Sequence, residues 1–250
     1  MSLVRTAGPL ALAAFALLAA PRLASAQAAA DTAKKSPVKG SIDLGLVASS
    51  GNTDLTTFSL GQKLEYLQGK WDVTQGARMV NGQTNGVETA NEYAVFVRPG
   101  YQISPRWQGY VLGSWDRNPF IGITTRWQEG LGLSFAAAQG PKHTLDLDAG
   151  LSYFQQEFTS GESTSFPAAR GQVRYRYSFT EKAYLQDVFV YLPNLQDGND
   201  YRMNNEIALV APVAGRLALK ASYLLQYQNA PQPGFERTDN LYTTGLQVTF

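Results

Sequence analysis

Cysteine is absent from the 250 residues, and histidine occurs once, at His143. Without thiols there is no disulfide framework to brace the fold and no thiolate cluster to hold zinc or iron, and a single imidazole builds no histidine metal site. Long apolar runs are equally scarce. The one stretch of that kind, Pro9 to Ala20, is only about a dozen residues, against the roughly 20 that a spanning helix needs. Excess charge of either sign is missing too. The 21 basic residues stand against 20 acidic ones, which argues against a nucleic-acid partner, since that would require a basic face.

The first 26 residues read as a secretory signal peptide, with Arg5 in a short basic start, an apolar centre, and Ala24-Ser25-Ala26 as a small-residue cleavage site. Cleavage after Ala26 takes Arg5 and Arg22 away, so 21 less two leaves 19 basic against 20 acidic residues and a mature charge of about −1. Residues 27–39 (QAAADTAKKSPVK) are small, charged and Pro-bearing, a flexible periplasmic lead-in. An exported chain with no spanning helix is either a soluble β protein or a membrane barrel.

From Gly40 to Phe250 the chain alternates with period two. Phe58, Leu60, Leu64 and Tyr66 share one face, while Thr57, Ser59, Gly61, Lys63 and Glu65 share the other. Leu145, Leu147, Ala149, Leu151 and Tyr153 alternate with Thr144, Asp146, Asp148 and Ser152, and Leu217 to Tyr227 alternates in the same way with Lys220, Ser222 and Gln226. About twelve such runs are separated by turn-rich stretches. Short connections at 68–70, 103–106, 180–182 and 213–216 alternate with longer polar ones at 81–90, 157–165, 193–200 and 229–238. This predicts an all-β fold, a closed antiparallel transmembrane β-barrel of about twelve strands, with both ends on the short-turn side. Closure is obligatory because hydrocarbon offers no partner to a free backbone N–H or C=O. The last strand, ending on Phe250, therefore pairs with the run from Gly40 to Ser49. Aromatics fall into two expected bands: Tyr66, Trp71, Tyr101, Trp107, Phe135 and Phe179 near the short turns, and Trp115, Trp127, Tyr153, Tyr227 and Tyr242 toward the long loops.

Several stretches resemble one family: Gly51-Asn52-Thr53-Asp54, KLEY at 63–66 with Gly69-Lys70-Trp71, YLP at 191–193, DYRMNNE at 200–206, and LKASYLLQYQNAPQPGFERTDNLYTTGLQVTF at 219–250. On these the chain resembles the salt-induced outer-membrane proteins, bacterial β-barrels filed as a domain of unknown function. The resemblance implies an outer-membrane location and a link to salt or osmotic stress. It supplies no catalytic residues.

Strand parity turns a charged set inward: Lys63, Arg78, Arg98, Arg126, Arg170, Arg174, Arg176, Arg202 and Lys220, against Glu65, Asp72, Glu92, Asp146, Asp148 and Glu206. Basic groups lead in this set. A hairpin folded about Gly161 would set Arg174 opposite Asp148 and Arg176 opposite Asp146. A hydrated lumen lined this way favours anions, whereas charges that pair across strands would plug it. Twelve strands about 4.8 Å apart give a backbone radius of roughly 12 Å, between the filled eight-strand barrel and the open porin. Glu129 and Asp187 break the parity, lying among apolar neighbours, and a bulge is expected to turn them inward.

No nucleophile constellation accompanies His143, which follows Gly140-Pro141-Lys142 and reads as a surface residue. Asp197-Gly198-Asn199-Asp200 has calcium-like oxygens but not the spacing of a calcium loop, and reads as a turn. No catalytic residue, cofactor or metal is expected. The expected partners are outer-membrane lipid, the barrel-assembly machinery through the strand ending at Phe250, and a small solute or ion.

Overall fold

The computed structural model describes residues 37–49 and 55–250. The signal peptide, most of the lead-in and the Gly51-Asn52-Thr53-Asp54 tip lie outside the described residues. Twelve strands are found among those described: β1 (Val38–Ser49), β2 (Leu55–Gln68), β3 (Trp71–Thr84), β4 (Val87–Gln102), β5 (Trp107–Asn118), β6 (Ile123–Gln139), β7 (His143–Phe158), β8 (Ser163–Ser178), β9 (Tyr184–Pro193), β10 (Tyr201–Ala214), β11 (Leu217–Gln228) and β12 (Thr238–Thr249). Each pairs antiparallel with its neighbours in sequence, and β12 returns to β1, so the sheet is a closed barrel. The first strand starts at Val38, two residues ahead of the expected Gly40.

The seam of the barrel lies between β1 and β12. Gly40 N–H donates to the Phe250 carbonyl at 2.9 Å and Phe250 N–H returns the bond at 3.0 Å. The ladder then runs from Ser41↔Thr249 to Gly45↔Gly245 and stops there, the shortest of the twelve. The terminal aromatic residue is thus a paired strand end.

The outer face is apolar. Val111, Leu131, Leu46 and Tyr242 are 57, 63, 67 and 75% exposed, while the inward Tyr110, Leu112, Phe154 and Val210 are buried. Such an outer surface suits lipid, and in water it would be an aggregation face. Rings gather at both rims. Trp71 packs on Tyr101 and Trp107 on Phe135 at centroid distances of 4.9 and 4.8 Å by the short turns. Trp115 approaches Trp127 at 6.5 Å and Tyr223 stacks on Tyr242 at 4.8 Å toward the other rim. His143 opens β7 on the outer face, with its Nδ1 2.7 Å from Tyr175 Oη.

Three expectations need correction. The supposed long loop 81–90 is strand almost throughout, and its turn is only Asn85-Gly86, both at positive φ (50° and 77°). An Asn-Gly pair fits a tight primed turn, so polar residues 81–84 and 87–90 prolong the hairpin and form no loop. Likewise 157–165 closes through Thr159, Ser160 and Gly161 alone, with Gly161 N–H bonded to the Phe158 carbonyl at 3.0 Å and Phe158 N–H to the Glu162 carbonyl at 2.9 Å. Only 194–200 and 229–237 remain long among the described loops on that side.

Glu129 and Asp187 do not turn inward. Register shifts lie near strand ends, at Asp116/Asn118, Ile123/Thr125 and Ala136/Ala138, so β6 is regular around Glu129, which stands opposite Gly113 and Tyr153 on the outer face with Trp127 and Leu131. Asp187 also faces out, and there its Oδ1 accepts from Asn205 Nδ2 at 2.6 Å. The polar neighbour supplies locally what a bulge would have supplied. Replacing Glu129 by leucine is expected to stabilise the barrel, by less than the roughly 2–4 kcal/mol given for a lipid-facing Arg or Lys. Reversible urea unfolding in lipid vesicles measures it, and a less stable variant would place Glu129 outside the hydrocarbon.

Candidate functional site

Alternation within each strand sends every second side chain inward, and the inner face is where the charges meet. Arg98 on β4 reaches Asp148 on β7, Nη2 to Oδ2 3.5 Å, although three strand intervals separate them. Such a contact is possible only through the lumen. Arg98 Nη1 also donates to Gln108 Oε1 at 3.0 Å, and its guanidinium lies 4.1 Å above the centre of the Tyr110 ring. Gln108 Nε2 donates onward to Asp72. Asp148 accepts from Gln172 Nε2 at 3.0 Å, and Arg170 Nη2 donates to Gln172 Oε1 at 2.6 Å. These groups form one belt from β3 to β8.

Arg78 is held by Glu92 through Nε at 3.0 Å and through a second, shorter bond from Nη2, while Glu206 on β10 adds its negative charge to the surroundings of Arg78. Arg126 grips Asp116 with both ends of its fork, at 2.9 and 2.8 Å, a bidentate geometry only Arg provides. Lys220 bonds Asp43 at 2.6 Å, and Lys63 bonds Glu65 at 2.7 Å. Arg202 stands apart. It is buried beside the stacked rings of Phe154 and Phe166, 5.2 and 5.3 Å from their centres, and Nη2 donates to Gln156 Oε1 at 2.7 Å. The apolar cluster of Phe154, Phe166, Ala168 and Leu192 fills that side of the lumen.

The register of the β7–β8 hairpin departs from the expected one by two residues. Arg174 stands opposite Asp146, with 3.7 Å between charged atoms, and Asp148 stands opposite Gln172. Arg176 meets Thr144 in the ladder and stacks over Tyr184 at 3.6 Å. The cause is the turn. Gly161 has φ 86° and closes a three-residue loop in the left-handed position, so the fold axis passes through Ser160 instead.

Parity reasoning missed three inward acids, Asp43, Asp116 and Asp239. Asp43 bonds Lys220 and Gln247, Asp116 bonds Arg126, and Asp239 lines a cavity with both Arg126 and Arg202. The alternation Ile42-Asp43-Leu44 carried the signal for the first. With them the nine basic side chains of the expected inner set stand against nine acidic ones.

Space opens at the short-turn end. Two cavities of about 400 and 360 Å³ lie there, the first bounded by Lys39, Arg176, Lys182 and Arg216, the second by Asp72, Arg98, Asp146 and Arg174. Both reach Glu65. A cavity of about 100 Å³ lies toward the long loops. Asp197 and Asp200 make a turn: Asn199 N–H donates to Asp197 Oδ1 at 2.9 Å, and Asp200 N–H to the Asp197 carbonyl at 3.0 Å.

The family described as "Protein of unknown function, DUF481" matches residues 42–250. The chain belongs to this family. The uncharacterized protein YdiY of Escherichia coli (strain K12) is 23% identical over 247 residues, covering 93% of this chain and 95% of that one. Among solved structures, the NanC porin is similar at a TM-score of 0.52 with 14% identity, over 84% of this chain and 98% of the porin. An outer-membrane channel of Pseudomonas putida F1 is similar at 0.51 with 11% identity, over 89% and 100%. At these identities the likeness is one of fold: the DUF481 chain is a closed β-barrel whose fold resembles that of outer-membrane barrels.

Proposed function

We propose that this DUF481 barrel is a narrow pore for ions or small polar solutes in the bacterial outer membrane, reached after export and cleavage of the signal peptide. One observation carries the reading. The two mouth cavities lead to a belt of charged and amide side chains that reach one another across the lumen yet leave buried atoms such as Asp148 Oδ1 and Arg170 Nε without a hydrogen bond, a lining that water and solute can re-solvate as they pass. A barrel filled only for stability is better served by apolar side chains, because desolvating a charge pair commonly costs as much as the pair returns. The likeness to a porin and to an outer-membrane channel supports the same reading. The family resemblance adds salt or osmotic stress as its setting, and the strand ending at Phe250 is the segment offered to the assembly machinery.

Transport then needs only side-chain motion. Arg98 sits between Asp148, Gln108 and the face of Tyr110, and a rotation of its long side chain would widen the belt while the sheet stays closed. The expected result is a small, stable conductance for refolded mature protein in a planar bilayer. Silence over a range of salt concentrations would favour the second reading, a plugged barrel that works through its outer loops, for which the packed Phe154, Phe166, Ala168 and Leu192 speak.

A further inference from the structure

We propose that the mouth at the short-turn end is a binding site for small multivalent anions, of the polycarboxylate or phosphate-bearing kind; its role in transport rests on the pore reading, its binding does not. The charges around the cavities are unevenly placed. Ten cationic and five acidic side chains line the two cavities at the short-turn end. Two cationic and three acidic ones line the cavity toward the long loops.

Ion pairs account for only part of the cationic set. Lys63, Lys220, Arg174 and Arg98 are held by Glu65, Asp43, Asp146 and Asp148. Lys39, Arg176, Lys182 and Arg216 have no ion-pair partner among the described residues, and all four border the cavity of about 400 Å³. Glu181 is the one acid of that cavity outside an ion pair, again among the described residues. Lys182 Nζ donates to the Gly215 carbonyl at 3.1 Å, and the Arg176 guanidinium lies over the Tyr184 ring, 3.6 Å from its centre.

These four cations come from separate parts of the chain. Lys39 comes from β1, Arg176 from β8, Lys182 from the β8–β9 turn and Arg216 from the β10–β11 turn. A solvated strand face would place them in one row, whereas here the topology converges them on one space. Convergent like charges repel, and an anion with several oxygens relieves that repulsion while offering acceptors to an Arg fork and to Lys ammonium groups. The low-dielectric wall of the barrel strengthens the effect. Some 400 Å³ is of the size that holds small-molecule ligands.

Citrate and inorganic pyrophosphate are the probes. Isothermal titration into the folded full-length mature protein in detergent, at low ionic strength, is expected to show binding that salt abolishes. The double variant Lys182→Gln/Arg216→Gln, both exposed turn positions, is expected to lose at least about tenfold in affinity. Glu236→Gln, at the opposite end, leaves it unchanged, and gel mobility before boiling confirms that each variant is folded. In a planar bilayer, citrate added on one side should block and the same addition on the other side should not. Equal citrate affinity in wild type and double variant, or no binding to either, overturns the site while leaving a conducting pore standing. Salt-sensitive binding lost in the double variant, in a protein that never conducts, keeps the site and removes the pore.

Discussion

Replacing Gly245 with valine is expected to leave a chain that cannot close. Gly245 stands opposite Gly45 at the last rung of the β1–β12 ladder. A Cβ placed there would lie 2.7 Å from the Leu44 carbonyl carbon and 2.8 Å from Gly45 Cα, and would collide with the Leu44 carbonyl oxygen. These are backbone atoms, which cannot swing aside as a side-chain tip does, so the two strands must part. The seam has little to spare, since its ladder spans only Ser41 to Gly45. Each backbone group left unpaired in hydrocarbon costs several kcal/mol, so a few lost rungs outweigh the whole stability of a typical domain, about 5–15 kcal/mol. Folded barrels run faster than boiled ones on a gel, and the valine variant should show one band at the boiled position. Gly171→Ala is the control, because nothing lies within 4 Å of a Cβ there. A valine variant with normal mobility and normal urea resistance would mean that closure does not hinge on this rung.

Removing the carboxylate of Asp148 is expected to produce the second large effect. Its side chain is only 2% exposed, between Arg98 and the Gln172 amide. Asp148→Ala leaves the Arg98 guanidinium without its carboxylate and Gln172 Nε2 without its acceptor. Breaking a buried pair from one side typically costs about 3–5 kcal/mol. Urea unfolding in vesicles should register a loss of that order, and water entering the vacated belt should raise the conductance. Removing both charges, as Arg98→Leu with Asp148→Leu, should recover most of the stability, since neither group is then stranded. If the single variant is as stable as wild type, the belt is already hydrated and the lumen is more open than the packing of Arg98, Tyr110 and Asp148 implies.

Much of this was legible in the chain alone. The period-two alternation fixes which side chains share a face, because successive residues of any extended strand point to opposite sides whatever surrounds them. That is why the charges from Lys63 to Lys220 can be assigned to one face of their strands, and why the strand ending at Phe250 matches the run from Gly40. The two rings of aromatic residues follow from the same alternation together with turn positions. Glu129 was misjudged on energetic grounds, because a lipid-facing carboxylate is unfavourable; the backbone had no bulge to offer there, and its regular pairing with Gly113 and Tyr153 decided the matter.

Which inner charges meet is a different kind of fact. The register of the β7–β8 hairpin depended on where in its loop Gly161 takes a positive φ, and a shift of two residues moved Arg174 from Asp148 to Asp146. Arg98 with Asp148, Arg202 with Gln156 and Lys220 with Asp43 each join strands that are not neighbours. Their meeting depends on the registers added up around the closed sheet, together with its tilt. By itself the sequence determined the two faces and the need to close, since these follow from strand geometry and from the absence of water in hydrocarbon. Only the tertiary structure decided the partners in the lumen and the gathering of unpaired cations at one mouth, because both depend on distances across the barrel that no single strand contains.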